Sequence, residues 1–228
     1  MSYFNTLFFG IYPYIAILVC LVGCWIRFDR EPYTWKASSS QFLRTKDMRI
    51  ASNFFHVGII FILLGHFVGL LTPQEIYHVF ISSENKQLLA MVSGGFFGLV
   101  CLVGILMLVK RRLTDPRVRA SSSTSDTVIL LLLLVQLVLG LLTIIASADH
   151  LDGSVMIQLG TWAQSIVTFQ PAAAAEAVAG VNIIYKLHIF LGMTLFVVFP
   201  FTRLVHIVSG FAAPVKYLVR NYQLVRSK

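Results

Sequence analysis

Residues 50–72 read I-A-S-N-F-F-H-V-G-I-I-F-I-L-L-G-H-F-V-G-L-L-T. The stretch is long enough to cross a bilayer, whose hydrocarbon core of roughly 30 Å takes about 20 apolar residues. It nevertheless carries two histidines, His56 and His66. An ionisable ring at membrane depth is costly and needs a partner or a ligand. The last apolar stretch, 181–208, repeats the feature with His188 and His206. Four such histidines on two helices suggest two metal centres, each holding one histidine from either helix.

The rest of the chain has the same character. Of its 228 residues, 57% are hydrophobic and 12% charged, the balance of an integral membrane protein. Apolar runs at about 4–26, 50–72, 88–109, 127–147 and 183–208 are each long enough to span. Without water in the bilayer core, backbone groups must bond within their own segment, so such spans are helices. The expected fold is all-α: one integral membrane bundle of five transmembrane helices over 1–228, with a tail at 209–228.

Charge sets the expected orientation. All Lys and Arg except Lys86 and Lys186 fall in 27–49, in 110–126, or at and after Arg203. The alternate connections hold Glu75, Glu84, Asp149, Asp152 and Glu176. The positive-inside rule then puts the N-terminus outside and the C-terminus in the cytoplasm. The basic residues hug the helix ends, where topology signals and lipid headgroup contacts sit. That placement argues against nucleic acid as a partner. The cysteines Cys20, Cys24 and Cys101 lie inside apolar spans, where a cysteine is ordinarily a small hydrophobe. Leu21-Val22-Gly23-Cys24 has the look of a lipoprotein cleavage site, but no basic region precedes it, so the first helix is expected to be retained.

Other features read more plainly. Gly65 and Gly69 form a GxxxG pair, a pattern of close helix packing; Gly65 could also leave room for a flat ligand beside His66. The fourth span has only Gln136 as a polar interruption and reads as lipid-facing scaffold. Residues 162–169 read as a short amphipathic piece along the membrane surface. The alanine run 172–175 carries no evident function. His78 and His150 read as ordinary loop residues.

Direction decides how the four histidines pair. The second and fifth spans run antiparallel, so His56 shares a level with His206 and His66 with His188. At 1.5 Å per residue the first pair of positions is about 15 Å apart along its helix and the second about 27 Å, a mismatch of roughly 12 Å. Tilt, imidazole reach and a kink at Pro200 are the available means of absorbing it. Eighteen residues make five turns, so a continuous fifth helix presents His188 and His206 on one face. Histidines without cysteine or carboxylate do not suit a four-ligand zinc site. One histidine above and one below a plane suits haem iron, and two axial histidines make an electron carrier. A haem-free metal permease using the same histidines is the alternative from another class; the second and fifth spans contain no Asp or Glu to line such a path.

At these residues the chain resembles a known family. The blocks are I-Y-P-Y-I-A from Ile11, Y-T-W-K-A-S-S-S-Q from Tyr33, A-S-N-F-F-H from Ala51, G-H-F-V-G-L-L-T-P from Gly65, K-R-R-L-T-D-P-R-V-R-A from Lys110, W-A-Q-S-I-V-T-F from Trp162, L-H-I-F-L-G-M-T-L-F from Leu187 and F-P-F-T-R-L-V-H-I from Phe199. Together they are similar to the gamma subunit of membrane-bound respiratory nitrate reductase, a dihaem cytochrome b. The resemblance implies a multi-pass subunit of a bacterial or archaeal cytoplasmic membrane. Such a subunit oxidises quinol (menaquinol or ubiquinol) near the outer face, releases protons there and sends electrons inward through two b haems. It implies an outer haem on His66 and His188 and an inner one on His56 and His206. Lys86 would serve the quinol site beside the outer haem, with Gly65 leaving room for the ring, and Arg112 would face propionates of the inner haem. The implied partners are an iron–sulfur beta subunit and a molybdenum alpha subunit on the cytoplasmic side. The cytochrome b anchor of a formate dehydrogenase or hydrogenase is the neighbouring alternative.

Overall fold

The computed structural model describes residues 3–35 and 45–208. Among these residues five helices are long and apolar enough to cross a membrane: Tyr3–Arg30, Asp47–Leu71, Ser83–Thr114, Thr124–Ser147 and Ile183–Phe201. The fold is all-α, as the apolar runs predict. The tail 209–228 and the serine run 38–40 lie outside the described residues.

Local chemistry marks several of the ends. The Ser82 side chain caps the third span by accepting from the Asn85 N–H. Ser123 and Asp126 cap the fourth reciprocally, as a capping box, and Asn182 caps the fifth. Each cap satisfies N–H groups that a helix cannot satisfy within itself. Near its start the first span widens into a π-helical turn at Thr6–Ile11. Pro13 has no N–H to offer and its ring crowds the carbonyl four residues back. That carbonyl belongs to Phe9, and it accepts instead from the buried indole N–H of Trp162, at 3.0 Å.

The spans pack in the order second, third, fourth, fifth, first. The second and third meet most closely, through glycines. A Cβ on Gly58 would come within 2.5 Å of Cys101 Cβ and 2.7 Å of the Phe97 carbonyl oxygen. A Cβ on Gly104 would strike the Phe55 backbone nitrogen and lie 2.9 Å from the Ala51 carbonyl oxygen. Phe61 and Phe97 stack at 4.2 Å across this seam. Gly65 and Gly69, the pair predicted to pack, have nothing within 4 Å of an added Cβ. They face open space, so the packing glycines are Gly58 and Gly104 instead.

The second and fifth spans are not a packed pair. Both lean on other neighbours. The fifth is joined to the fourth by Tyr185, whose hydroxyl bonds Ser147 Oγ at 2.6 Å and the Thr143 carbonyl at 3.1 Å. It is joined to the first by Tyr12 OH to Thr194 Oγ1 at 2.9 Å and by Phe190 against Phe8 and Tyr12. The helix Ser154–Val167 closes the other side, with Gln164 donating to the carbonyls of Leu70 and Thr72. It includes most of the 162–169 piece read as amphipathic. Its Trp162, Ala163 and Ile166 form the apolar face and are part of a core with Phe9, Val178 and Tyr185. The alanine run has a packing role as well. It lies in the helix Pro171–Ala177, and a Cβ on Gly10 would come within 2.6 Å of the Pro171 oxygen and 3.5 Å of Ala175 Cβ.

The fifth helix departs from the predicted 183–208. Its α-helical part ends at Val198, a tighter 3-10 turn follows at Phe199–Phe201, and Thr202 is extended. A second 3-10 turn, Arg203–Val205, carries His206 at its end. His188 and His206 therefore do not share a face of one continuous helix. The chain between them is broken at the 3-10 turn that contains Pro200.

The seam between the second and third spans gives a direct test. Gly104→Ala should destabilise the chain by about 1–3 kcal/mol, because the added methyl meets backbone rather than a movable side chain. Gly69→Ala, into open space, should change stability by no more than about 0.5 kcal/mol. Thermal unfolding midpoints in mild detergent compare the two.

Candidate functional site

The four membrane histidines fall into two pairs across the gap between the second and fifth spans. The His66 and His188 ring centroids are 6.0 Å apart with ring planes at 40°. Those of His56 and His206 are 6.3 Å apart with planes at 64°. These are the partners that antiparallel directions require. Two imidazoles bound on opposite sides of one metal, with bonds of about 2 Å and each nitrogen about 1.1 Å from its ring centre, put their centroids roughly 6.2 Å apart. Both pairs match that separation.

The hydrogen bonds decide which ring atom is free. His56 Nδ1 lies 2.7 Å from the Ser52 carbonyl oxygen, His66 Nδ1 2.8 Å from that of Ile62, and His206 Nδ1 2.6 Å from that of Arg203. A carbonyl only accepts, so Nδ1 carries the proton in all three. Nε2 is then the neutral, unprotonated nitrogen that a metal takes. Backbone carbonyls three or four residues back thus orient three of the four rings.

His188 is placed differently. Its Nδ1 is buried without a partner, and Gln136 of the fourth span lies near the residue's carbonyl and its other ring nitrogen. The Gln136 amide donates to the His188 carbonyl at 3.1 Å and lies 3.5 Å from the ring Nε2. One turn further, a Cβ on Gly140 would come within 3.0 Å of His188 Cε1. Gly192 leaves room for the amide from the other side, at 3.2 Å. The fourth span is therefore part of the site, not only scaffold. Sequence reasoning missed Gln136 and Gly140. The one available signal was a lone amide in an otherwise apolar run, a group that hydrocarbon leaves unsatisfied.

The two pairs lie towards opposite ends of the bundle. Near His206, Arg112 donates to Ser122 Oγ at 2.7 Å. Arg112 and Arg203 each lie 3.8 Å from Asp126, one on either carboxylate oxygen. Two cations share that carboxylate. At the other end, the half-buried Lys86 holds its ammonium 3.5 Å from the centre of the Tyr77 ring, a cation–π contact. Tyr77 OH bonds the buried Ser83 Oγ at 2.9 Å, and His78 Nε2 bonds the same oxygen at 2.8 Å. His78 thus has a local structural role. Gly65 adjoins His66 and faces open space.

The chemistry of this donor set is specific. Among the described residues no group of three or more His, Cys, Asp or Glu side chains could hold a metal ion, so a tetrahedral protein-only site lacks its ligands. Paired imidazoles facing each other across an interhelical gap could supply two ligands to one iron. The residues present fit a haem on each pair.

Comparison with known proteins points the same way. The family model described as nitrate reductase gamma subunit matches residues 5–228. The chain is 52% identical over its whole length to the respiratory nitrate reductase 1 gamma chain of Escherichia coli (strain K12), and covers all of that protein. It is 50% identical to the respiratory nitrate reductase 2 gamma chain of the same organism, over all of this chain and 99% of the relative. It is 34% identical to the nitrate reductase gamma chain of Bacillus subtilis (strain 168), over 98% of this chain and 99% of the relative.

Proposed function

The chain belongs to the nitrate reductase gamma-subunit family, the membrane anchor chain of a respiratory oxidoreductase, and on that premise we propose that it is the quinol-oxidising, dihaem subunit of such a complex. His66 and His188 would hold one b haem, and His56 and His206 the other. Bound haem of this kind supplies one-electron transfer and, with both axial positions closed, no oxygen chemistry. What carries the reading is the pair of imidazole separations, 6.0 and 6.3 Å, on helices held apart by their other neighbours.

The chain's own residues set the direction. With basic residues concentrated at the end of Arg27, Arg112 and Arg203, that end is cytoplasmic and the N-terminus is outside. The His66–His188 pair is then the outer one. Lys86, packed against the Tyr77 ring, would donate a charge-assisted hydrogen bond to a quinol oxygen on the outer side. Gly65 keeps the approach to His66 clear. Arg112, sharing Asp126 with Arg203, offers the inner pair a cation for the propionates of its haem. The cytoplasmic end, with 209–228, would meet an iron–sulfur beta subunit that feeds a molybdenum alpha subunit reducing nitrate. The whole chain 1–228 acts as one membrane domain on this reading.

Replacing His66 or His188 by Ala should remove the same haem, and His56 or His206 the other, read in reduced-minus-oxidised spectra of membranes. Loss of different haems within a pair refutes the assignment. Lys86→Ala should lower quinol-driven turnover roughly ten- to a hundredfold, the worth of a hydrogen bond from a charged group. Both haems should stay bound, and turnover with a non-quinol reductant should be unchanged. Haem loss in that variant would make Lys86 structural.

A further inference from the structure

Arg27 counts in the sequence among the basic residues that set topology, yet its side chain is committed elsewhere. One terminal nitrogen donates to the Pro200 carbonyl at 2.6 Å and to the Thr202 carbonyl at 2.8 Å. The other donates to the Thr34 carbonyl at 2.9 Å, and Nε to Thr34 Oγ1 at 3.2 Å. A guanidinium presents its donors in a rigid fork, which an ammonium cannot reproduce.

Pro200 and Thr202 lie where the fifth span comes apart. Where an α-helix ends, its last carbonyls lack donors from the next turn, and leaving them bare at membrane depth is costly. Arg27 supplies those donors from a different helix. The same face of the first span accommodates the proline. Gly23, one turn before Arg27, has Pro200 so close that an added Cβ would lie 2.7 Å from its Cγ.

The break continues to the ligand. Thr202 Oγ1 accepts from the Leu204 N–H at 3.3 Å and so starts the turn Arg203–Val205. The first carbonyl of that turn, Arg203, takes the Nδ1 proton of His206 at 2.6 Å. Leu204 and Val205 are buried beside it. From the arginine fork to the imidazole there is thus a short run of bonded, packed groups.

We propose that Arg27 is a positioning residue for the His206 centre: by bridging the Pro200 and Thr202 carbonyls it holds the unwound turn that aims His206 at His56. This rests on the reading of His206 as a haem ligand. It gives Arg27 a role beyond the topology signal that the basic clusters carry.

The test uses the complete complex in native membranes, with Arg27→Lys, Arg27→Met and Gly23→Ala. Lysine keeps the charge but not the fork, and Gly23→Ala displaces Pro200 without touching any charge. All three should perturb only the haem that His56→Ala removes. The expected readings are a changed low-spin electron paramagnetic resonance signal and retention of that haem in detergent weakened roughly ten- to a hundredfold, the usual cost of removing a group that orients a metal ligand. The other haem should be unchanged. Wild-type behaviour in Arg27→Lys, or equal loss of both haems in Arg27→Lys and Gly23→Ala, overturns the proposal. Failure of wild-type membranes to show two b haems would instead sink the underlying functional reading.

Discussion

A nitrogen of a buried imidazole left without a partner is costly, and that cost bears on how this molecule holds its membrane histidines. Three of the four membrane histidines give the Nδ1 proton to a carbonyl of their own segment. That bond fixes the ring against its helix and leaves Nε2 pointing away from it. The second nitrogen can only be satisfied by something in the gap. For this reason the helices that carry the histidines are kept from packing on each other, and the rest of the bundle supplies their support.

That support is unevenly built. The second span rests on the third through a glycine seam close enough for backbone to meet backbone. The fifth is held by hydroxyl bonds to the first and fourth. On both, the side facing the gap is left for a ligand. Gly65 and Gly69 leave open space along the second span, while Gly140 sets the fourth span close against the His188 ring.

The break after Pro200 shows how a proline becomes functional. A straight helix would carry residue 206 about 12 Å beyond the level of its partner. Unwinding there requires external donors for the freed carbonyls, and Arg27 provides them across 173 and 175 residues of sequence. Pro13 also meets a donor from a distant segment, with Trp162 bonding the Phe9 carbonyl four residues back, whereas at Pro200 it is the proline's own carbonyl that Arg27 bonds. Each proline in a span is answered by a donor from a distant segment.

Five spans, the antiparallel course of the second and fifth, and the partnership of His56 with His206 and His66 with His188 were all legible in the residues themselves. Hydropathy is local, and helix direction simply alternates once the spans are known. The tertiary structure alone decided which glycines pack, that the fourth span reaches His188 through Gln136 and Gly140, that 154–167 contributes to the core, and that His206 follows a break in the fifth span rather than sharing one continuous helix with His188. These depend on which surfaces meet and on where a distant donor can reach. Periodicity along one segment holds no record of either.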